Sequence, residues 1–135
     1  MKMNKALIWT FIVGFLVSML YVATASAEGN PDKGKKGFKK CASCHSIDEG
    51  GKNKTGPNLW NIMQRGTAQA DFRYSKKFLA WAEENPEWTP ELMDAWLTNS
   101  KKLVKGTKMN FKEKKEQKRA DIIAYLQTMG VTDNE

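Results

Sequence analysis

Cys41-Ala42-Ser43-Cys44-His45 decides how this chain is read. The stretch holds the only two cysteines and the only histidine among the 135 residues. A closed zinc site needs four Cys or His ligands, and here three fall within five consecutive positions, which argues against zinc. A thioredoxin-like dithiol belongs beside a βαβ pattern, and none is visible. A plain disulfide gives His45 no purpose. Two thiols separated by two residues, with a histidine directly after the second, form the attachment pattern of a c-type haem. One helical turn places both sulfurs along one porphyrin edge, where each adds to a vinyl group as a thioether. His45 then turns an imidazole nitrogen to the iron. A redox dithiol and a structural disulfide stay as the alternatives.

Upstream, Met1-Lys2-Met3-Asn4-Lys5 is basic, Ala6 to about Ala25 is apolar, and Ala25-Ser26-Ala27 is a small-residue A-x-A site. This predicts a secretory signal over residues 1–27, cleaved after Ala27. The apolar run is also long enough to span a bilayer, so an uncleaved anchor is the competing reading. Both export residues 28–135, to the periplasm or the outer face of a membrane. That compartment suits covalent haem, provided the two thiols stay reduced until it arrives.

Residues 28–135 make one small domain, in which a buried porphyrin serves as much of the core. Two of the 22 basic residues lie in the leader (Lys2, Lys5) and none of the 15 acids, which leaves 20 bases against 15 acids, a net +5. The excess is mostly lysine, suited to long-range steering more than bidentate recognition. Nucleic acid is a poor partner for an exported chain without a recognition motif. An acidic protein surface fits better.

Asn30-Pro31-Asp32 is a helix start of cap, proline and acid, predicting a helix to about Lys40. Gly34 and Phe38 share a face of it, and the Ile122/Tyr125/Leu126 face of a predicted C-terminal helix is the natural partner. Gly34 as a merely tolerated glycine is the competing view. Pro57, in Gly56-Pro57-Asn58-Leu59, offers a carbonyl to the outer nitrogen of His45, which would orient the imidazole and raise its basicity. Arg65 and Tyr74 are donors able to reach haem propionates; otherwise they are a surface arginine and a core tyrosine. Helices are expected over Ser75–Glu84 and from Thr89-Pro90-Glu91 through Leu97. The stretch Asn99–Phe111 has no helical period and is read as a loop. Lys112–Met129 is read as a long closing helix, with Gly130 as its cap.

The sixth iron ligand cannot be another histidine. Of the methionines beyond the leader, Met93 and Met129 sit in helical apolar patterns, and Met63 is close in sequence to His45. Met109, on the distant loop after Gly106, is the choice. A thioether raises the reduction potential.

Taken in order, these residues resemble class I cytochromes c, of the type shared by mitochondrial cytochrome c and bacterial cytochrome c2-like carriers. The resemblance rests on Gly34/Phe38, Cys41-Ala42-Ser43-Cys44-His45, Gly56-Pro57-Asn58-Leu59, Arg65, Tyr74, Trp88, Gly106-Thr107-Lys108-Met109 and Ala120-Asp121-Ile122-Ile123-Ala124-Tyr125-Leu126. It implies an all-α fold of about four to five helices around one covalently bound haem c, with the N- and C-terminal helices crossing. It implies His45 and Met109 as metal ligands, and Pro57 as partner of His45. It further implies Thr107 in the loop network near Met109, and Arg65, Tyr74 and Trp88 around the propionates. The family usually has proline where Ser100 and Lys105 stand, and their loss predicts a freer Met109 loop. Trp96 stands where the family has tyrosine near the methionine sulfur.

The expected function is a monomeric mono-haem electron carrier in a respiratory chain, not an enzyme. By the resemblance, Lys40, Lys52, Lys54, Lys101, Lys102 and Lys108 ring an exposed haem edge near Cys41 and Phe111. They would dock acidic surfaces of a quinol-oxidising complex, a terminal oxidase or another redox protein. Two rivals differ in class. One is a membrane-tethered electron-entry subunit of a larger oxidoreductase; the other is a haem peroxidase or gas-binding protein, should Met109 leave the iron.

Overall fold

The computed structural model describes residues 27–131, and the predicted leader up to Ser26 lies outside them. Among the described residues there is no β-strand, and no helix is long and apolar enough to cross a membrane. Four helices have seven residues or more: α1 (Pro31–Gly37), α3 (Lys76–Glu84), α4 (Pro90–Thr98) and α6 (Glu116–Gln127). Two single-turn helices, α2 (Ile62–Arg65) and α5 (Ser100–Leu103), complete the set.

Side-chain caps start the helices where the sequence places them, each satisfying an amide that has no partner inside the helix. Asn30 Oδ1 accepts the Lys33 amide at 2.9 Å, Ser75 Oγ that of Phe78 at 3.2 Å, and Thr89 Oγ1 that of Leu92 at 3.1 Å. A 3-10 turn over Phe38–Lys40 continues α1 into the cysteine motif. There the Cys44 and His45 amides both donate to the Cys41 carbonyl, at 3.0 and 2.9 Å, closing one tight turn.

The first and last helices cross in contact. Gly34 is buried against the Asp121 backbone, and a β carbon built on it would run into that carbonyl and lie 2.7 Å from Tyr125 Cβ. Gly29 meets the Ala120 backbone in the same way, with Ala124 Cβ 2.8 Å from its would-be β carbon. Phe38 fills the crossing edge-on to Tyr125, ring centroids 5.6 Å apart. With Ile122 and Leu126 also buried, this contact removes several large apolar side chains from water, each contributing about 2 kcal/mol. A buried carboxylate pins the register: Asp121 Oδ1 accepts the Asn30 amide at 2.9 Å and Gln117 Nε2 at 3.0 Å. Those bonds, the Asn30 amide first, hold the Asp121 carboxyl below the usual carboxylate range.

Three expectations change. The stretch read as a loop over Asn99–Phe111 contains α5, whose first turn is capped by Asn99 Oδ1 accepting the Lys102 amide at 3.2 Å. The closing helix starts at Glu116, not Lys112. Residues before it are held away by the Glu113 amide donating to the Leu97 carbonyl at 2.9 Å, and by Glu113 Oε1 accepting the Lys115 amide at 3.1 Å. It also ends early, with Thr128 at the cap position; Gly130 follows in the left-handed region at φ 78°, packed on Asn61. Arg119, on α6, then ties three segments. Its guanidinium meets Asp94 of α4 at 2.7 and 3.2 Å and the Glu113 and Lys114 carbonyls at 3.1 and 3.2 Å.

Candidate functional site

Between these helices lies an apolar cavity of about 440 Å³, within the range of cofactor sites. Phe38, Leu59, Ile62, Phe78, Met93, Leu97, Ile122 and Leu126 build most of its wall. Three indoles pack together beside it. Trp88 and Trp96 line the cavity with centroids 5.7 Å apart, and Trp81 backs them at 5.5 and 6.3 Å.

The cysteine motif forms one part of the lining. Cys41 and Cys44 are free thiols, the first buried and the second exposed, so the cavity edge meets solvent at Cys44. Burial pushes the Cys41 thiol up to about 11, above an ordinary cysteine. His45 is buried at the same wall, and its Nδ1 is 2.7 Å from the Pro57 carbonyl oxygen. A carbonyl only accepts, so Nδ1 carries the proton and Nε2 keeps its lone pair. Burial pulls the imidazole pKa below the usual histidine value, against the opposing effect of the Pro57 bond, and keeps the ring neutral.

Gly56 explains how the ring fits. A β carbon there would lie 2.7 Å from His45 Nδ1 and 2.9 Å from Nε2, so the imidazole rests on bare backbone. The Gly56 amide also donates to the Cys44 carbonyl at 2.8 Å, tying the Gly56-Pro57 turn to the motif. Its role was missed from the sequence, where it reads as ordinary turn glycine before Pro57.

The other expected residues divide. Pro57, Tyr74, Trp88, Thr107 and Met109 all line the cavity together with Cys41, Cys44 and His45. Arg65 does not line it. Its Nη1 and Nη2 donate to the Trp60 and Asn58 carbonyls, both at 2.6 Å, which anchors the guanidinium behind the wall. Its Nε is buried without a partner, an orphan donor. Tyr74 stacks on Phe78 at 5.3 Å, and burial raises its hydroxyl pKa. Met93, assigned to packing by its helical pattern, is buried and faces the cavity as well.

A flat apolar macrocycle with two vinyl attachment points and polar carboxylates fits this chemistry: apolar walls, two thiols in one turn, a neutral imidazole and an unpaired guanidinium N–H nearby.

Residues 31–130 match the cytochrome c family. The chain belongs to the cytochrome c family. It is 46% identical over 101 residues to cytochrome c of Theileria annulata, covering 73% of this chain and 85% of that one. To cytochrome c2 of Rhodospirillum rubrum it is 33% identical over 131 residues, covering 86% of this chain and 97% of the relative. The structure of cytochrome c2 from Rhodospirillum centenum superposes with a TM-score of 0.69 at 37% identity, over 75% of this chain and 98% of that one. Like other members of the cytochrome c family, this chain carries one covalent haem c, for which Cys41 and Cys44 form the attachment motif, and it is an electron carrier, not an enzyme.

The Met109 loop of this cytochrome c-family chain is tied down where it was expected to be freer. Ser100, at the position of a usual proline, is fully buried and bonded to the loop backbone. The Met109 amide donates to Thr107 Oγ1 at 3.4 Å, which puts Thr107 in the loop network. Lys40 and Lys108 line the cavity, and Lys40, Lys52, Lys54, Lys101, Lys102 and Lys108 are all exposed. Two of them also hold structure: Lys40 pairs with Glu113 at 3.2 Å, and Lys54 Nζ donates to the Ala42 carbonyl of the motif at 2.8 Å.

Proposed function

We propose that this protein is a periplasmic mono-haem carrier that moves single electrons between respiratory complexes, with His45 and Met109 as the two residues that would hold the haem iron. One observation carries the reading: His45, Met109 and both motif cysteines line one apolar cavity, and His45 is held there by the Pro57 carbonyl with Nε2 free. When bound, the haem supplies a reversible one-electron change at its iron. The chain's own residues do the rest. The Gly56-Pro57 turn fixes the His45 ring and its tautomer, and the carbonyl raises the basicity of Nε2. Met109 offers a soft thioether that favours the reduced metal. Leu97, Trp96, Ile122 and Leu126 exclude water, which strengthens every electrostatic interaction inside the site. Tyr74, Trp88 and Thr107 line the cavity where the propionates would sit, and Arg65, behind the wall, keeps an unpartnered Nε–H that would serve as a further donor.

The exposed lysines Lys40, Lys52, Lys54, Lys101, Lys102 and Lys108 form the docking surface for acidic patches on a quinol-oxidising complex and on a terminal oxidase or other reductase. The mature protein works as a soluble monomer after cleavage at Ala27. The test is the visible spectrum of the exported, haem-loaded protein beside Met109→Ala. A low-spin wild type with a weak sulfur-to-iron band that the variant loses supports the ligand pair; a high-spin wild type removes Met109 from it. For docking, reversing Lys101, Lys102 and Lys108 together to Glu should slow reduction by a quinol-oxidising complex at low salt by at least tenfold, with the difference shrinking as salt rises. Equal rates at low salt remove these lysines from the interface.

A further inference from the structure

Ser100 stands out among the buried polar residues because it serves no helix interior and reaches a loop ten residues away. Its side chain is fully buried. Its hydroxyl accepts the Phe111 amide at 3.0 Å and lies 3.1 Å from the Met109 carbonyl, the nearer of two acceptors; the Phe111 carbonyl is at 3.4 Å. A serine hydroxyl has one proton, so it donates to Met109 while accepting from Phe111. The Ser100 amide donates to the Phe111 carbonyl at 3.2 Å, and two residues on, the Glu113 amide donates to the Leu97 carbonyl at 2.9 Å. The backbone from Met109 to Glu113 is thereby stitched to the junction of α4 and α5. Met109 itself is gripped at both ends of its peptide unit: Thr107 Oγ1 takes its amide and the Ser100 hydroxyl its carbonyl.

The junction that holds Ser100 is rigid for its own reasons. Asn99 caps α5 through Lys102, and the Ser100 carbonyl accepts the Val104 amide at 2.9 Å, with Val104 buried. Without the hydroxyl, a part-buried carbonyl at Met109 and a part-buried N–H at Phe111 would both lose this partner, which makes the closed loop more costly. Proline at this position could neither donate its amide nor supply a hydroxyl.

We propose that Ser100 is a positioning residue for Met109: its hydroxyl locks the 109–111 backbone so that the thioether stays in the cavity, and it sets how readily an outside ligand takes the place of that thioether. The proposal rests on Met109 as the sixth ligand. It adds a device that this chain uses to keep that ligand in place.

The test uses the ferric, haem-loaded protein titrated with imidazole, following loss of the sulfur-to-iron band. Ser100→Ala should bind imidazole about tenfold more tightly than wild type and show a faster limiting rate at saturating imidazole, because opening of the loop limits entry. Ser100→Cys, which keeps the volume but weakens the hydrogen bonds, should fall between them. Hydrogen exchange at the Phe111 amide should quicken in the same order. Thr67→Ala is the control: it removes another buried hydroxyl, 2.6 Å from the Asn85 carbonyl, that touches no part of the loop. If Ser100→Ala matches wild type in imidazole affinity, or if Thr67→Ala raises it equally, the positioning role is overturned. A wild type lacking the sulfur-to-iron band overturns the Met109 assignment instead, and the Phe111 exchange data then show whether the tie exists without a ligand to serve.

Discussion

Gly34 and Asp121 touch backbone to backbone: the place where a side chain would begin on Gly34 is already taken by the Asp121 carbonyl, and Tyr125 Cβ stands 2.7 Å away. Backbone atoms in a helix cannot step aside as a flexible side chain can. Gly34→Ala should therefore separate α1 from α6 and cost on the order of 3 kcal/mol, read as a lower guanidinium midpoint of the haem-loaded protein. An unchanged midpoint would show that the crossing tolerates a wider gap.

At His45 the same steric logic acts on the site. Gly56→Ala should push the imidazole off its seat, since the ring nitrogens would lie within 3 Å of the new methyl, at 2.7 and 2.9 Å. The expected result is a high-spin fraction in the visible spectrum together with a stability loss of about 2 kcal/mol. Gly50→Ala provides the comparison: it has open space but a positive φ of 67°, so it should cost about 1 kcal/mol and leave the spectrum alone. Identical spectra for the two variants would contradict this account of Gly56.

The Asp121 carboxylate predicts an acid limb. Its folded pKa is depressed by the Asn30 amide and by Gln117. A depressed folded pKa stabilises the protein above the unfolded value, near 3.9, and the contribution disappears as pH falls through the folded pKa. Asp121→Asn should be less stable at pH 7 by about 1 to 2 kcal/mol and lose less on acidification below about pH 4. Denaturation midpoints at pH 7 and pH 3 would settle it; parallel losses in both proteins would assign the acid sensitivity elsewhere.

Arg119 offers a geometric prediction. Its fork spans Asp94 and two carbonyls at once, which a single ammonium cannot copy. Arg119→Leu should cost about 2 kcal/mol, and Arg119→Lys should recover less than half of that in urea unfolding. Full recovery by lysine would mean that charge alone matters, as at an exposed ion pair.

What was legible in the sequence was whatever depends on local rules. The caps Asn30 and Thr89 mark helix starts because each satisfies the amide three residues on, and Gly34 beside Phe38 announced a close crossing. The cysteine motif with Pro57 gave the haem and the support for its histidine. What was not legible depends on partners far along the chain. The delayed start of α6 follows from Glu113 bonding to Leu97 and Lys115. Arg65 proved to be committed to two carbonyls behind the cavity. Ser100 read as the loss of a stiffening proline, because a hydroxyl's partners cannot be seen from its neighbours in sequence. The wall position of Met93 was hidden by the same helical spacing that made it look like ordinary core.

The crossing of α1 and α6 also sets an order of assembly. Asn30 and Asp121 are bonded across 91 residues, so a chain that emerges from its amino end cannot close until nearly all of it has appeared. Cys41 and Cys44 arrive early, directly behind α1, and wait in an open chain. In the closed fold Cys41 is buried and its thiol is hard to ionise. The closed fold therefore presents the two thiols unequally, Cys44 to solvent and Cys41 to the apolar interior.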